Sequence, residues 1–326
     1  MVGGAPLSAA DLALVELLRR LEALGYDFVT PTPVTHARVI NRPGKVEARS
    51  LRDVFGWSRP FGEGLVPAEI LELLARGDAL CTEHGRMRSR VRVSRVEDIL
   101  FLHGAFPTDQ PESVFLGPDT YRFVRFVKAR LSGIGKADRI IDMGAGAGVG
   151  GIVAARLLPG ATAILVDANP EALRLARINA AAAGVAVEIV QGESLDEVKG
   201  EIELVIANPP FIIDDGGPAY RNGGSMFGAR ISHDWALAAA RRLAPTGRML
   251  LYTGSAIIAG RDGLREALAS DLASLGCVMD YAEIDPDIFG EQLDLPAYRS
   301  VERIAAVGAV ISRQAADEAE AATAAN

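Results

Sequence analysis

The sequence predicts an α/β protein: a mostly parallel sheet with an antiparallel final strand, covered by helices on both faces, behind a smaller N-terminal helical/β-hairpin domain. Three observations carry that expectation. From about residue 119, strand-like apolar runs alternate with helix-like ones. A loop of alternating glycines, Asp142-Met143-Gly144-Ala145-Gly146-Ala147-Gly148, leads from one such strand into a helix. The apolar run Leu204-Val205-Ile206-Ala207 stops at Asn208-Pro209-Pro210-Phe211. Two prolines lack backbone donors and have a fixed φ, so neither strand nor helix continues through them.

Taken in order, residues 8–25 read as an amphipathic helix, with Ser8 as cap and Gly25 as stop. Residues 67–76 read as a second helix with proline near its first turn. Three short strands follow: Ala79 to Glu83, Met87 to Ser94 across a His84-Gly85 turn, and Ile99 to Leu102. Residues 1–110 are therefore expected to form the helical/β-hairpin domain, with a winged-helix-like arrangement as one reading. The boundary lies in the proline-bearing stretch Ala105 to Ser113. A helix over Thr120 to Leu131 then precedes strand Arg139 to Met143. Next come helix Val149 to Leu158, strand Thr162 to Val166, helix Pro170 to Ala183, and strands Ala186 to Val190 and Leu204 to Ala207. Helix Asp234 to Leu243, strand Arg248 to Thr253 and helix Gly263 to Leu275 continue the alternation. Val278 to Ile284 and Ile304 to Ile311 are expected to close the sheet as an antiparallel pair. Residues 111–312 thus form the second domain, and the alanine- and acid-rich residues 313–326 are expected to be a disordered tail. Strands alternating with helices imply a parallel sheet, whose ligands sit outside the carboxyl ends of its strands.

The chain has 326 residues, 49% of them hydrophobic and 23% charged, with a net charge of −8. That balance lacks a wholly basic nucleic-acid footprint. The two cysteines, Cys81 and Cys277, lie far apart, which argues against disulfides or a metal site and fits a reducing, cytoplasmic setting. No apolar run reaches the ~18 residues that span a bilayer, so no membrane partner is expected.

The glycine loop permits a tight turn and close backbone approach to a ligand, and the helix after it offers unpaired N–H groups. Asp142, Gly144, Ala145, Gly146 and Gly148 are candidate cofactor contacts. Asp167, at the end of the next strand with Ala168 beside it, is placed to accept ribose hydroxyls. Asp142 is read as orienting the loop or approaching the amino-acid part of a cofactor. Glu193 admits two readings, a contact to the amine of adenine or a solvated loop acid. Gly146-x-Gly148-x-x-Gly151 also satisfies dinucleotide spacing, so this half of the chain alone leaves a nicotinamide cofactor open.

The Asn-Pro-Pro-Phe corner presents an amide side chain, proline carbonyls and an aromatic face. It suits a flat NH2 group, with acceptors for both hydrogens and a ring to stack on. Asn208, Pro209, Pro210 and Phe211 are the candidate catalytic residues. Asp214 to Gly224 reads as a glycine-flanked loop able to close over substrate; Tyr220 and Arg221, with Phe211, are candidate substrate contacts, and a solvent-exposed flap is the equal alternative.

Together the glycine loop, Asp167 and Asn208-Pro209-Pro210-Phe211 resemble the class I S-adenosylmethionine-dependent methyltransferases, in the Asn-Pro-Pro-Phe/Tyr branch. The resemblance covers roughly residues 111–312 and implies a Rossmann-like sheet, S-adenosylmethionine as cofactor and N-methylation of a planar NH2. Val114-Phe115-Leu116-Gly117-Pro118-Asp119-Thr120 is similar to the Pro-Asp-Thr segment of release-factor glutamine methyltransferases and implies that Thr120 lies near the cofactor. The sequence departs from that family at Gly117, at Tyr121, which replaces an acid, and at Phe211, which replaces tyrosine and also occurs in ribosomal-RNA base methyltransferases.

The leading expectation is therefore a cytoplasmic N-methyltransferase acting on a protein glutamine amide. The alternatives are the exocyclic amine of adenine or guanine in rRNA or tRNA, and a small-molecule amine. A nicotinamide-dependent oxidoreductase leaves Asn208-Pro209-Pro210 unexplained, and a non-catalytic cofactor-binding module leaves an intact reacting corner without use. Alternation over Arg88, Arg90 and Arg92 predicts one basic strand face, read either as a phosphate contact or as a salt-bridged surface.

Overall fold

A computed structural model describes residues 6–43, 46–110, 112–132, 137–213 and 222–314. Tyr220, Arg221 and the tail from residue 315 lie outside the described residues. The N-terminal part comprises helices α1 (Ala9–Ala23), α2 (Pro33–Ile40), α3 (Leu51–Phe55) and α4 (Ala68–Arg76). Strands β1 (Leu80–Glu83), β2 (Arg86–Ser89), β3 (Val91–Val96) and β4 (Ile99–Gly104) follow. Helix α1 starts where Ser8 and Asp11 cap each other: the Asp11 N–H donates to Ser8 Oγ at 3.1 Å, and the Ser8 N–H donates to Asp11 Oδ2 at 3.2 Å. Its Leu14, Leu17, Leu18 and Leu21 are buried at helical spacing.

The single strand expected over Met87 to Ser94 is two strands in two separate hairpins. Ser89 Oγ donates to the Val91 carbonyl and accepts from the Val91 N–H. This local turn hands the chain from the β1–β2 pair to the β3–β4 pair. The basic face expected over Arg88, Arg90 and Arg92 is therefore absent. Arg86 pairs with Glu47 and Arg88 with Glu83. Arg92 is buried and donates to the Gly104 carbonyl at 2.9 Å.

The main sheet receives α5 (Pro118–Leu131), β5 (Arg139–Met143), α6 (Val149–Leu157), β6 (Thr162–Asp167), α7 (Pro170–Ala183), β7 (Val187–Gln191) and β8 (Ile202–Ala207). Helix α8 (Arg230–Arg242), β9 (Leu243–Ile258), β10 (Arg261–Asp262), α9 (Gly263–Ser274), β11 (Cys277–Asp285) and β12 (Arg303–Arg313) complete it. The strand order is β11-β12-β9-β8-β5-β6-β7, with β10 paired to β9. Strands β7, β6, β5, β8 and β9 run parallel, and β12 lies antiparallel between β9 and β11. This is the Rossmann-like sheet with an antiparallel closing pair that the sequence predicts.

Alternate residues of each strand bury against opposite layers. Ile141, Met143, Val205 and Leu251 pack with Ala236 and Ala239 of α8 and Leu268 of α9. Ile140, Leu204, Leu250 and Tyr252 pack with Phe123 of α5 and Ala154 of α6. One core cluster runs from α1, α4, β3 and β4 into α6 and α7. Asn179 of α7 is fully buried at this junction. Its carboxamide accepts from the Leu102 N–H at 2.8 Å and donates to the carbonyls of Leu102 and Ala147. Arg174 of α7 reaches Asp11 of α1 at 2.7 Å.

Candidate active site

The carboxyl ends of β5, β6, β7 and β8 share one edge, and the strand order reverses between β5 and β8. A cleft of about 1110 Å³ opens there, at the topological switch point where ligands of such sheets bind. The N-terminal part contributes Pro33, Val34, Phe106 and Pro107 to its lining.

The glycine loop forms the floor. Gly148 has φ 78° at the start of α6, and a Cβ there would lie 2.9 Å from the Ala176 Cβ. Only glycine makes this left-handed turn without strain. Gly148 faces the core and does not line the cleft, unlike Gly144, Ala145 and Gly146, so its part is to bend the chain. Gly146 is the open position: nothing lies within 4 Å of where its Cβ would stand. Its N–H donates to Asp167 Oδ2 at 2.8 Å, and Asp167 Oδ1 accepts from the Asn169 N–H at 2.9 Å. The second strand end thereby fixes the loop.

Asp142 accepts the Gly151 N–H at 2.7 Å. Burial pushes its carboxyl up to about 7, opposed by that N–H and reinforced by the neighbouring Asp167 charge. Burial also raises Asp167, against the N–H groups of Asn169 and Gly146. Ala168 and Glu193 line the cleft beyond it, and Glu193 is exposed. Thr120 lines it from α5, its hydroxyl accepting the Gly117 N–H at 3.3 Å.

Asn208, Pro209, Pro210 and Phe211 all line the same cleft. Asn208 Oδ1 is buried and has no hydrogen-bond partner. The corner is held from behind: the Gly223 N–H donates to the Ile212 carbonyl at 2.7 Å, and the Ile213 N–H donates to Tyr298 Oη at 2.7 Å. Phe211 rests on Gly254 of β9, where a Cβ would come within 2.4 Å of its ring. Its other neighbour is Phe289, edge-on with centroids 5.6 Å apart.

Several lining residues were not singled out from the sequence. Asp119 stood in the quoted Pro-Asp-Thr segment, next to Thr120. It is buried, accepts from Tyr252 Oη at 2.7 Å and pairs with Arg122. Burial raises its carboxyl, while those two partners pull it back. Trp235 packs against Gly144 and also lines the cleft. Phe289 and Gln292 come from the β11–β12 connection, where nothing in the residue pattern marks them.

This lining fits a cationic nucleoside cofactor. Asp142, Asp167 and Glu193 are carboxylates, the open face of Gly146 leaves room for a ligand, and no described lining residue is Lys or Arg. Among the described residues no group of His, Cys, Asp and Glu could hold a metal ion, and no helix is long and apolar enough to cross a membrane.

Residues 124–259 match the family described as Methyltransferase small domain. The chain is 27% identical over 220 residues to a release factor glutamine methyltransferase of Deinococcus radiodurans, covering 66% of this chain and 77% of the relative. It is 31% identical over 155 residues to a 4-amino-L-phenylalanine/4-methylamino-L-phenylalanine methyltransferase of Streptomyces pristinaespiralis, covering 42% and 52%. It is 35% identical over 72 residues to a ribosomal RNA small subunit methyltransferase C of Pseudomonas entomophila, covering 22% of each. With the sheet, the glycine loop and the proline corner in one cleft, the chain is an S-adenosylmethionine-dependent methyltransferase similar to the class I enzymes of the Asn-Pro-Pro-Phe/Tyr branch.

Proposed function

We propose that this methyltransferase acts on a planar NH2 group, and that its acceptor is a protein glutamine amide, methylated at N5 in the cytoplasm. The observation that carries the reading is Asn208 Oδ1, a buried acceptor with no partner at the cleft wall. A buried oxygen of this kind costs about 1–3 kcal/mol unless a donor meets it, and an incoming NH2 supplies one.

In this reading Asp167 would hold the ribose hydroxyls, Glu193 would take the adenine, and Asp142, Thr120 and the loop from Gly144 to Gly146 would hold the amino-acid part. When bound, S-adenosylmethionine would supply a methyl group on a cationic sulfur, which keeps the S–CH3 bonding pair and leaves as the neutral thioether S-adenosylhomocysteine. Asn208 Oδ1 and the Pro209 carbonyl would accept the two N–H bonds of the acceptor, turning the nitrogen lone pair out of conjugation and leaving it available to react. Phe211, braced by Gly254 and Phe289, packs against the acceptor plane. Fixed dipoles then stabilise the positive charge arriving on nitrogen without reorganising, and the methylated nitrogen sheds a proton to water. Held geometry of this sort is worth on the order of 7–11 kcal/mol.

Residues 1–110 are assigned to acceptor recognition, because Pro33, Val34, Phe106 and Pro107 line the same cleft as the corner. Protein is favoured over RNA by charge. The described lining holds Asp109, Asp119, Asp142, Asp167, Glu193 and Glu291 but neither Lys nor Arg, whereas nucleic-acid affinity rests on cations that neutralise phosphates. Burial of Arg92 removes the basic face that spoke for RNA.

The test is incubation with methyl-labelled cofactor and cell extract, followed by protease or nuclease. Label in protein, recovered as N5-methylglutamine, is expected; label released by nuclease alone rejects the glutamine reading. Asn208→Ala is expected to slow transfer on the order of 100–1000-fold with cofactor affinity unchanged. Full turnover in that variant removes Asn208 from the reaction.

A further inference from the structure

The β11–β12 connection carries a second amide into the cleft lining, three residues after the Phe289 that touches Phe211. Phe289, at φ 55°, turns the chain into the short helical segment Gly290–Asp294. The Gln292 N–H donates to the Phe289 carbonyl at 2.8 Å, and the Leu295 N–H donates to the Gln292 carbonyl at 3.0 Å. Its backbone is thus occupied. The residue is only 7% exposed and lines the cleft, and its carboxamide makes no hydrogen bond with any described residue. The segment is pinned to the reacting corner on both sides of Gln292, by the Phe289–Phe211 ring contact and by Tyr298, which accepts the Ile213 N–H. Amides closed off from water are normally hydrogen-bonded, so a ligand that fills the cleft must offer this one a partner.

We infer that Gln292 recognises the hydrogen-bond acceptor atom bonded beside the reacting NH2-bearing carbon, and so restricts the enzyme to carboxamide- or amidine-type acceptors. The inference rests on N-methylation of a planar NH2 at Asn208. Asn208 takes the hydrogens of the NH2 and Gln292 Nε2 donates to the neighbouring oxygen or ring nitrogen. A carboxamide satisfies both walls at once. An aniline carries the same flat NH2 but no adjacent acceptor atom, and would leave Gln292 buried and unpaired. Sites built to hydrogen-bond a ligand discriminate steeply against analogues that lack the matching atom, because their own polar group is then stranded.

The test uses the full chain saturated with S-adenosylhomocysteine, titrated by NMR with N-acetylglutamine N-methylamide, adenosine and 4-amino-L-phenylalanine. Wild type is expected to bind at least one of the first two about tenfold or more tighter than the third. Gln292→Leu is expected to lose that preference while its affinities for 4-amino-L-phenylalanine and S-adenosylhomocysteine stay unchanged. Gln292→Glu preserves size, removes the N–H donors and is expected to lose the preference as well. A preference surviving in both variants, equal binding of all three probes by wild type, or no binding of the first two overturns the inference. A Gln292-dependent preference for adenosine over the glutamine compound would instead reject the protein-glutamine reading and leave the role of Gln292 standing.

Discussion

Asp142 shows how much one buried carboxyl does in this site. Its bond to the Gly151 N–H anchors the start of α6, yet burial pushes it up to about 7 from an ordinary 3.8. Between those values the folded protein keeps a proton that the unfolded chain has already released. Stability of the cofactor-free enzyme therefore falls as pH rises from about 4 to about 7, and levels off above. The expected span is on the order of 4 kcal/mol. Asp142→Asn, which keeps an acceptor for Gly151, is expected to flatten that part of the profile in urea denaturation measured across pH. An unchanged slope would show that other groups set it. Asp142 and Asn208 were legible because glycine alternation and a double proline are rare and chemically pointed. Gln292 was not legible, since a lone glutamine in an irregular connection looks like any surface amide until its burial is known.

Among the elements, α7 ties the most together. It follows the Asp167 strand end, and its Asn179 satisfies three backbone groups at once, two on β4 and one in the glycine loop. Asn179→Ala leaves those groups buried without partners and is expected to destabilise by about 3 kcal/mol, read as a lower urea midpoint with an unchanged slope. A loss below about 0.5 kcal/mol would mean that water replaces the amide. The alternating elements from β5 to β12 were readable because glycine and proline punctuate them and both sheet faces are apolar. Shorter pieces were not. Helices α2 and α3 have eight and five residues, too few for a period to emerge. The break between β2 and β3 depends on the Ser89 hydroxyl closing on Val91, a local contact that strand alternation hides.

At the level of the whole molecule, the proline-bearing stretch at 105–113 separates two kinds of pattern without separating two cores. Leu14, Leu17, Val93 and Leu102 belong to the same apolar cluster as Ile152, Leu175 and Ile178. Calorimetry is expected to show one cooperative transition for the full chain, and two resolved transitions would contradict the shared core. Sequence could not reveal this, because periodicity shows which face of a helix is buried and is silent about what buries it. The seam formed by Asp11–Arg174 and Asn179 also bears on how such enzymes diversify. The N-terminal segment is no detachable adaptor: a chimera that exchanges it must bring along the matching surface of α7, the helix that follows the Asp167 strand end. Under the proposed reaction, new acceptors are more readily acquired by rewriting the unpatterned stretch between β11 and β12, which touches the Asn-Pro-Pro-Phe corner and leaves that seam alone.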